Sequence, residues 1–206
     1  KADLQKIADL AVEYGVTVIS DEIHAPLTYV TEDFYPFLAI SGNARRVGIT
    51  ITSASKSFNI AGLKCAIIIS QDERLNDLLA TMPMAVHYRA SLFGGVASAA
   101  AFAHGSSWLT TALGQLDENR RLLDSLIRSR IPAIKYRIPD CSYLAWLDLS
   151  ALNLGDNPAA TLLERGRVAL NSGHTYGAPY SQFARLNFAT SPELITDGIE
   201  RILKAI

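Results

Sequence analysis

The chain has 206 residues and a formal net charge of −1, with 49% hydrophobic and 19% charged side chains. That balance allows a sizeable buried core and excludes general disorder, and no Lys/Arg run or basic stripe points to a nucleic-acid partner. Cys65 and Cys141 lie far apart without metal-ligand spacing, no signal peptide is legible, and the apolar run 65–69 is far too short to span a membrane. A reduced, cytoplasmic protein with no metal and no membrane partner is the expectation.

Leu4, Ile7, Ala8, Leu10, Ala11 and Tyr14 recur at three- and four-residue steps and predict an amphipathic helix that Gly15 ends. Residues 16–20 are β-branched and apolar and predict a strand that empties into Asp21, Glu22 and His24. Glu22 reads as a turn or interface residue. Residues 25–40, with Pro26, Tyr29, Pro36 and Phe37, read as loop and short turns, with Tyr29 a packing residue rather than a reactive one. Residues 45–52 predict a buried strand that runs into Ser53, Ser55 and Lys56, and residues 63–70 predict a further apolar strand. Asp72 and Glu73 then open a helix at its positive end. Residues 82–91 read as irregular, residues 92–104 as a small-residue helix packed closely on its neighbours, and residues 107–131 as a long amphipathic helix.

From there the pattern becomes α+β, and a domain boundary is expected between 1–108 and 109–206. Residues 133–138 and 142–149 predict strands around a turn at Pro139 and Asp140. Asn157 and Pro158 open a helix over 159–165. A short strand at 168–170 leads into a loop at 173–180 that Ala178 and Pro179 stiffen. The strand 183–189 carries Arg185 among Phe183, Leu186 and Phe188, and Ser191 with Pro192 starts the closing helix.

The chemistry concentrates at two strand ends. In open α/β sheets, ligands bind at the carboxyl ends of the strands. A lysine in a partly dry pocket there favours the neutral amine, which is the form that condenses with aldehydes. Taken singly, each residue also has an ordinary reading: a solvated lysine, a capping aspartate, a surface arginine.

On Asp21-Glu22-Ile23-His24 and Ser53-Ala54-Ser55-Lys56, and over residues 4–206 generally, the chain resembles the fold-type I pyridoxal-phosphate enzymes of the class I/II aminotransferase group. The Asp21-Glu22-Ile23-His24 spelling resembles most the branch of cystathionine β-lyases and related C–S lyases. The resemblance implies an α/β fold. It would comprise the C-terminal half of an aminotransferase-like large domain, with a mostly parallel sheet and helices on both faces, followed by an α+β small domain. It implies pyridoxal phosphate held by Lys56, with Asp21 on the ring nitrogen and His24 where many aminotransferases place a tyrosine. Ser53, Ser55 and Lys64 are implied for the phosphate. Lys64 stands where many relatives carry an arginine, so it brings charge without the two-pronged fork. Arg185 is implied for the α-carboxylate of a small amino-acid substrate, and a homodimer for the intact enzyme.

The phosphate-cradling loop, the stacking ring and an asparagine on the ring hydroxyl belong upstream in that family and are not in this sequence. The chain therefore reads as the C-terminal half of a longer enzyme. A β C–S lyase releasing thiol, pyruvate and ammonia is the expected activity. The alternatives are an aminotransferase and the effector-binding domain of a transcriptional regulator.

Overall fold

Local signals account for most of the helices, and the computed structural model, which describes residues 1–206, shows where tertiary packing overrode them. Two compact units result, Lys1–Thr110 and Thr111–Ile206, against an expected boundary after residue 108.

In the first unit, α1 (Ala2–Glu13) stops at Tyr14, and Gly15 takes the left-handed φ of +65° that a side chain would resist. Ala8 and Ala11 join Phe37, Leu38, Ala44 and Val47 in one core cluster, whereas Ile7, Leu10 and Tyr14 of the same predicted stripe are exposed. β1 (Val18–Asp21) comes next. The strand expected over 45–52 is corrected. Ser41 accepts from the Ala44 N–H at 3.1 Å and starts α2 (Gly42–Val47), so β2 is confined to Gly48–Thr52. Ala44 and Val47, three residues apart, both bury on a helix, and that gain outweighs the β-branched pattern of the short run. Gly48 makes the sharp change possible, since a Cβ there would lie 2.5 Å from the Ala44 carbonyl oxygen.

α3 (Ala54–Ser57) leaves β2 directly, and β3 (Ile67–Ser70) returns beside it. β3 is shorter than the expected 63–70. Ala61–Leu63 form a 3₁₀ turn, and Lys64 sits at φ +55°, which breaks extended pairing. The order is β1-β2-β3, with β1 parallel to β2 and β3 antiparallel to it. The expected mostly parallel sheet is thus represented by one parallel pair with an antiparallel edge strand, a common form of α/β sheet. Asp72 caps α4 (Glu73–Ala80), and α5 (Met84–Tyr88) forms where irregular chain is expected. α6 (Leu92–His104) is followed by α7 (Ser106–Arg130), which begins in this unit and continues into the second.

In the second unit, β4 (Lys135–Tyr136), β5 (Leu144–Asp148), β6 (Asn171–Ser172) and β7 (Phe183–Asn187) form an antiparallel sheet in the order β4-β5-β7-β6. α8 (Pro158–Gly166) and α9 (Pro192–Ala205) complete it. Strand alternation sends Ala145, Leu147 and Ala184 to the buried face and Trp146 and Arg185 to the other. β6 lies three residues later than expected. Arg167 takes φ +53° at the end of α8, and the Val168 N–H bonds back to the Leu162 carbonyl, so the next residues are used in leaving the helix. β7 ends before the expected residue 189 because the buried Asn119 of α7 grips the chain just past the strand. Its Nδ2 donates to the carbonyls of Phe188 at 3.0 Å and Thr190 at 2.7 Å. No helix is long and apolar enough to cross a membrane.

Candidate active site

Parallel pairing of β1 with β2, in the register Val18↔Gly48 to Asp21↔Ile51, brings two of the singled-out strand ends to the same edge of one sheet. Asp21 is the last residue of β1 and is exposed. Its carboxylate accepts from the Ile23 N–H at 3.1 Å, closing a local turn. His24 is half-buried at the start of the Ala25–Leu27 turn, and Tyr29 is buried, as a packing residue would be.

Glu22 departs from its expected role as a turn or interface residue. It points the opposite way from Asp21, is buried, and its Oε1 accepts from the Ser20 hydroxyl (3.0 Å), the Phe37 N–H (2.8 Å) and the Thr50 hydroxyl (3.3 Å). It therefore ties the end of β1 to β2 and to the turn at Phe37–Ala39. Glu22→Ala is expected to destabilise the intact protein by about 2–3 kcal/mol, since buried donors lose a charged acceptor. Glu22→Gln, which keeps one acceptor oxygen, should cost roughly half as much. Chemical denaturation measures both, and an alanine variant as stable as the wild type would make the carboxylate peripheral.

On β2, the chain leaves through Ser53, which is 1% exposed. Its hydroxyl caps α3 by accepting from the Ser55 N–H at 3.0 Å, lies 2.7 Å from the Ser55 hydroxyl, and donates to the Cys65 carbonyl at 2.5 Å. Ser53 is thus engaged within the protein, whereas Ser55 is half-buried beside it. Lys56 comes next in α3, half-buried and without a carboxylate partner. Two residues on, Phe58 meets Phe102 edge-on at 5.8 Å and Trp108 at 6.0 Å between ring centres. Gly105 lies so close that a Cβ there would come within 2.5 Å of the Phe58 ring. The lysine turn is therefore clamped at both ends, by the Ser53 cap and by the Phe58 cluster. Lys64 is exposed at its left-handed turn. Its carbonyl accepts from the Ser91 N–H at 3.0 Å, and a Cβ on Gly94 would lie 2.2 Å from the Leu63 carbonyl oxygen. Only glycine lets α6 approach this turn so closely.

Asp21 ends β1 and Lys56 lies in α3, just past the end of the neighbouring parallel strand β2, yet neither is ion-paired, with each other or elsewhere. Both charges are open to a third group. An amine and a carboxylate are the chemistry called for by a cofactor with an aldehyde at one end and a basic ring nitrogen at the other. Lys64 and the Ser55 hydroxyl supply donors of the kind a phosphate requires.

In the second unit, Arg185 lies on β7 between Trp146 of β5 and Asn171 of β6. One guanidinium nitrogen donates to Asn171 Oδ1 at 3.2 Å, and its carbon stands 5.5 Å from the centre of the Tyr176 ring. Burial pushes the Tyr143 phenol up, with the nearby Arg185 charge pulling the other way. Trp146 stacks on Phe183 at 5.5 Å and meets Tyr176 and Tyr180 edge-on at 5.1 and 5.8 Å. The loop expected to be stiff folds as two 3₁₀ turns, Gly173–Tyr176 and Ala178–Tyr180, which bring both tyrosines onto this tryptophan. None of Trp146, Asn171, Tyr176 or Tyr180 stands out in the sequence as a site residue. Alternation along β5 and β7 places Trp146 and Arg185 on a common face, but only the strand register brings Asn171 beside them.

A family model described as "Aminotransferase class I and II" matches residues 1–202. The cystathionine beta-lyase PatB of Bacillus subtilis (strain 168) is 33% identical over 213 residues, covering 100% of this chain and 54% of that protein. The cystathionine beta-lyase of Corynebacterium glutamicum is 33% identical over 204 residues, covering 98% of this chain and 54% of that protein. The PLP-bound C–S lyase from Staphylococcus hominis superposes with a TM-score of 0.87 at 27% identity, covering 98% of this chain and 53% of that one. The chain spans about half the length of the curated relatives it matches.

Proposed function

We propose that this chain, which belongs to the aminotransferase class I and II family, forms part of a pyridoxal-phosphate-dependent β C–S lyase of the cystathionine β-lyase type. The observation that carries the cofactor is a pair of unpaired opposite charges, Asp21 at the end of β1 and Lys56 in α3, which follows the adjacent parallel strand β2. The lyase outcome is supported by relatives named cystathionine beta-lyase over the whole of this chain. Residues 1–108 are assigned to the cofactor-binding large domain and 109–206 to the small domain of a cytoplasmic homodimer.

When bound, pyridoxal phosphate supplies a ring that accepts the electron pair left at the substrate Cα as its proton departs. Lys56 Nζ is assigned to hold the cofactor's aldehyde carbon and to carry the proton taken from Cα. Asp21 would hold a proton at the ring nitrogen, and His24, three residues on, would offer its imidazole to the ring oxygen. Lys64 and Ser55 would hold the phosphate, with Ser53 supporting Ser55 by capping α3. Arg185 binds the substrate α-carboxylate with charge-assisted hydrogen bonds. Departure of the β-sulfur as a thiol, with hydrolysis of the remaining three-carbon fragment, accounts for pyruvate and ammonia.

The same residues serve transamination, so product analysis decides between the two. The protein expressed from its whole reading frame should release thiol and pyruvate from cystathionine faster than it converts any common amino acid into its keto acid. Coupled pyruvate and keto-acid assays on one preparation measure both rates, and dominant transamination would reassign it as an aminotransferase.

A further inference from the structure

Arginines in this protein obey a rule that one of them breaks. Arg74, Arg120, Arg121, Arg128, Arg130, Arg137 and Arg201 are each ion-paired with an aspartate or glutamate. Arg45, Arg46, Arg89, Arg165 and Arg167 have no carboxylate partner and lie exposed, where water solvates them. Arg185 is half-buried and still has no carboxylate. Its Nε–H is fully buried and finds no acceptor in the protein. A half-buried guanidinium with no anion beside it and one donor unfilled is costly to keep in the fold.

What holds Arg185 is a neutral amide. Asn171 is its direct partner in the β6–β7 register, so the two side chains share one face of the sheet. The amide oxygen accepts from the guanidinium at 3.2 Å, and the Tyr176 ring lies 5.5 Å from the guanidinium carbon. Both contacts orient the group, and neither cancels its charge. An aspartate at 171 would fit the same space and make a stronger bond to Arg185, but it would occupy the guanidinium with a fixed anion.

We propose that Asn171 is a positioning residue that holds Arg185 in place as an uncompensated cation for an incoming carboxylate. The inference rests on the reading of Arg185 as the substrate-carboxylate residue. Because the carboxylate is bound alike in the ground and transition states, the effect falls on KM rather than kcat.

Steady-state kinetics of the intact holoenzyme on cystathionine test this with three variants. Arg185→Ala is expected to raise KM by about a hundredfold, the loss of a two-point charged contact. Asn171→Ala should raise KM by about tenfold with kcat within about twofold, since the guanidinium loses its brace but keeps its charge. Asn171→Asp, the near-isosteric change, should raise KM more than Asn171→Ala, because the new carboxylate competes with the substrate. A residue that only spaced the strands would show the reverse order, with aspartate close to wild type, and that result would overturn the brace while leaving Arg185 intact. An unchanged KM in Arg185→Ala would overturn the reading of Arg185 itself and the brace with it. Loss of kcat in Asn171→Ala without a rise in KM would also overturn the brace.

Discussion

Replacing Lys56 with alanine is expected to lower turnover of the cofactor-loaded enzyme by about 10³–10⁴-fold, the upper range for removal of a positioned proton carrier. The fold should survive the change. Lys56 is half-buried and pairs with no carboxylate, so truncation strands no buried partner. The turn it occupies is held from either side, by the Ser53 hydroxyl on Ser55 N–H and Cys65 C=O and by Phe58 against Phe102 and Trp108. Stability should therefore shift by no more than about 1 kcal/mol. Two measurements separate chemistry from folding: single-turnover kinetics and chemical denaturation of the same variant. Borohydride reduction of the wild-type holoenzyme and subsequent peptide mapping should place the label on Lys56. A label on Lys64, which sits exposed at its strained turn, would remove the central assignment.

Asp21→Ala is expected to cost about 10²–10³-fold in turnover, the scale measured when one preorganised electrostatic contact to developing charge is removed. Cofactor affinity should fall far less, because the ring nitrogen is one contact among several. The carboxylate is exposed and its only internal bond is the turn to Ile23 N–H at 3.1 Å, so its loss should hardly alter stability. Asp21→Asn is the more discriminating substitution. It keeps an acceptor for the turn yet cannot hold a proton on the ring nitrogen, so it should be nearly as slow as alanine. The neighbouring Glu22 should behave in the opposite sense, with its variants losing stability first. Near-normal turnover in Asp21→Asn would show that this carboxylate serves the turn alone.

That contrast between adjacent carboxylates shows where the sequence sufficed. The two strand ends were legible because β-branched runs stop abruptly at polar residues, and those stops are local. The helix starts at Asn157-Pro158 and Ser191-Pro192 were legible for the same reason, since a cap and its N–H partner lie within three residues of each other. The α/β architecture and the family came from these signals together with the spelling around Lys56, and the match over residues 1–202 agrees with them.

Local patterns failed where the deciding partner was distant. The run 45–47 has an extended pattern, but Ala8, Ala11 and Phe37 supply a core for α2 to bury against. Glu22 could not be told from a turn residue, because its donors Phe37 and Thr50 lie 15 and 28 residues away. The sequence pattern offers Ser53 as a phosphate hydroxyl, whereas the Cys65 carbonyl twelve residues on draws that hydroxyl inward. Arg185 was visible in the sequence as a cation among apolar neighbours. That its charge is left unpaired, oriented by Asn171 and Tyr176, depends on strand register and on the fold of the 173–180 loop. Sequence spacing specifies which side chains share an element, and the burial of side chains from distant segments decides which polar groups meet and which charges stay open.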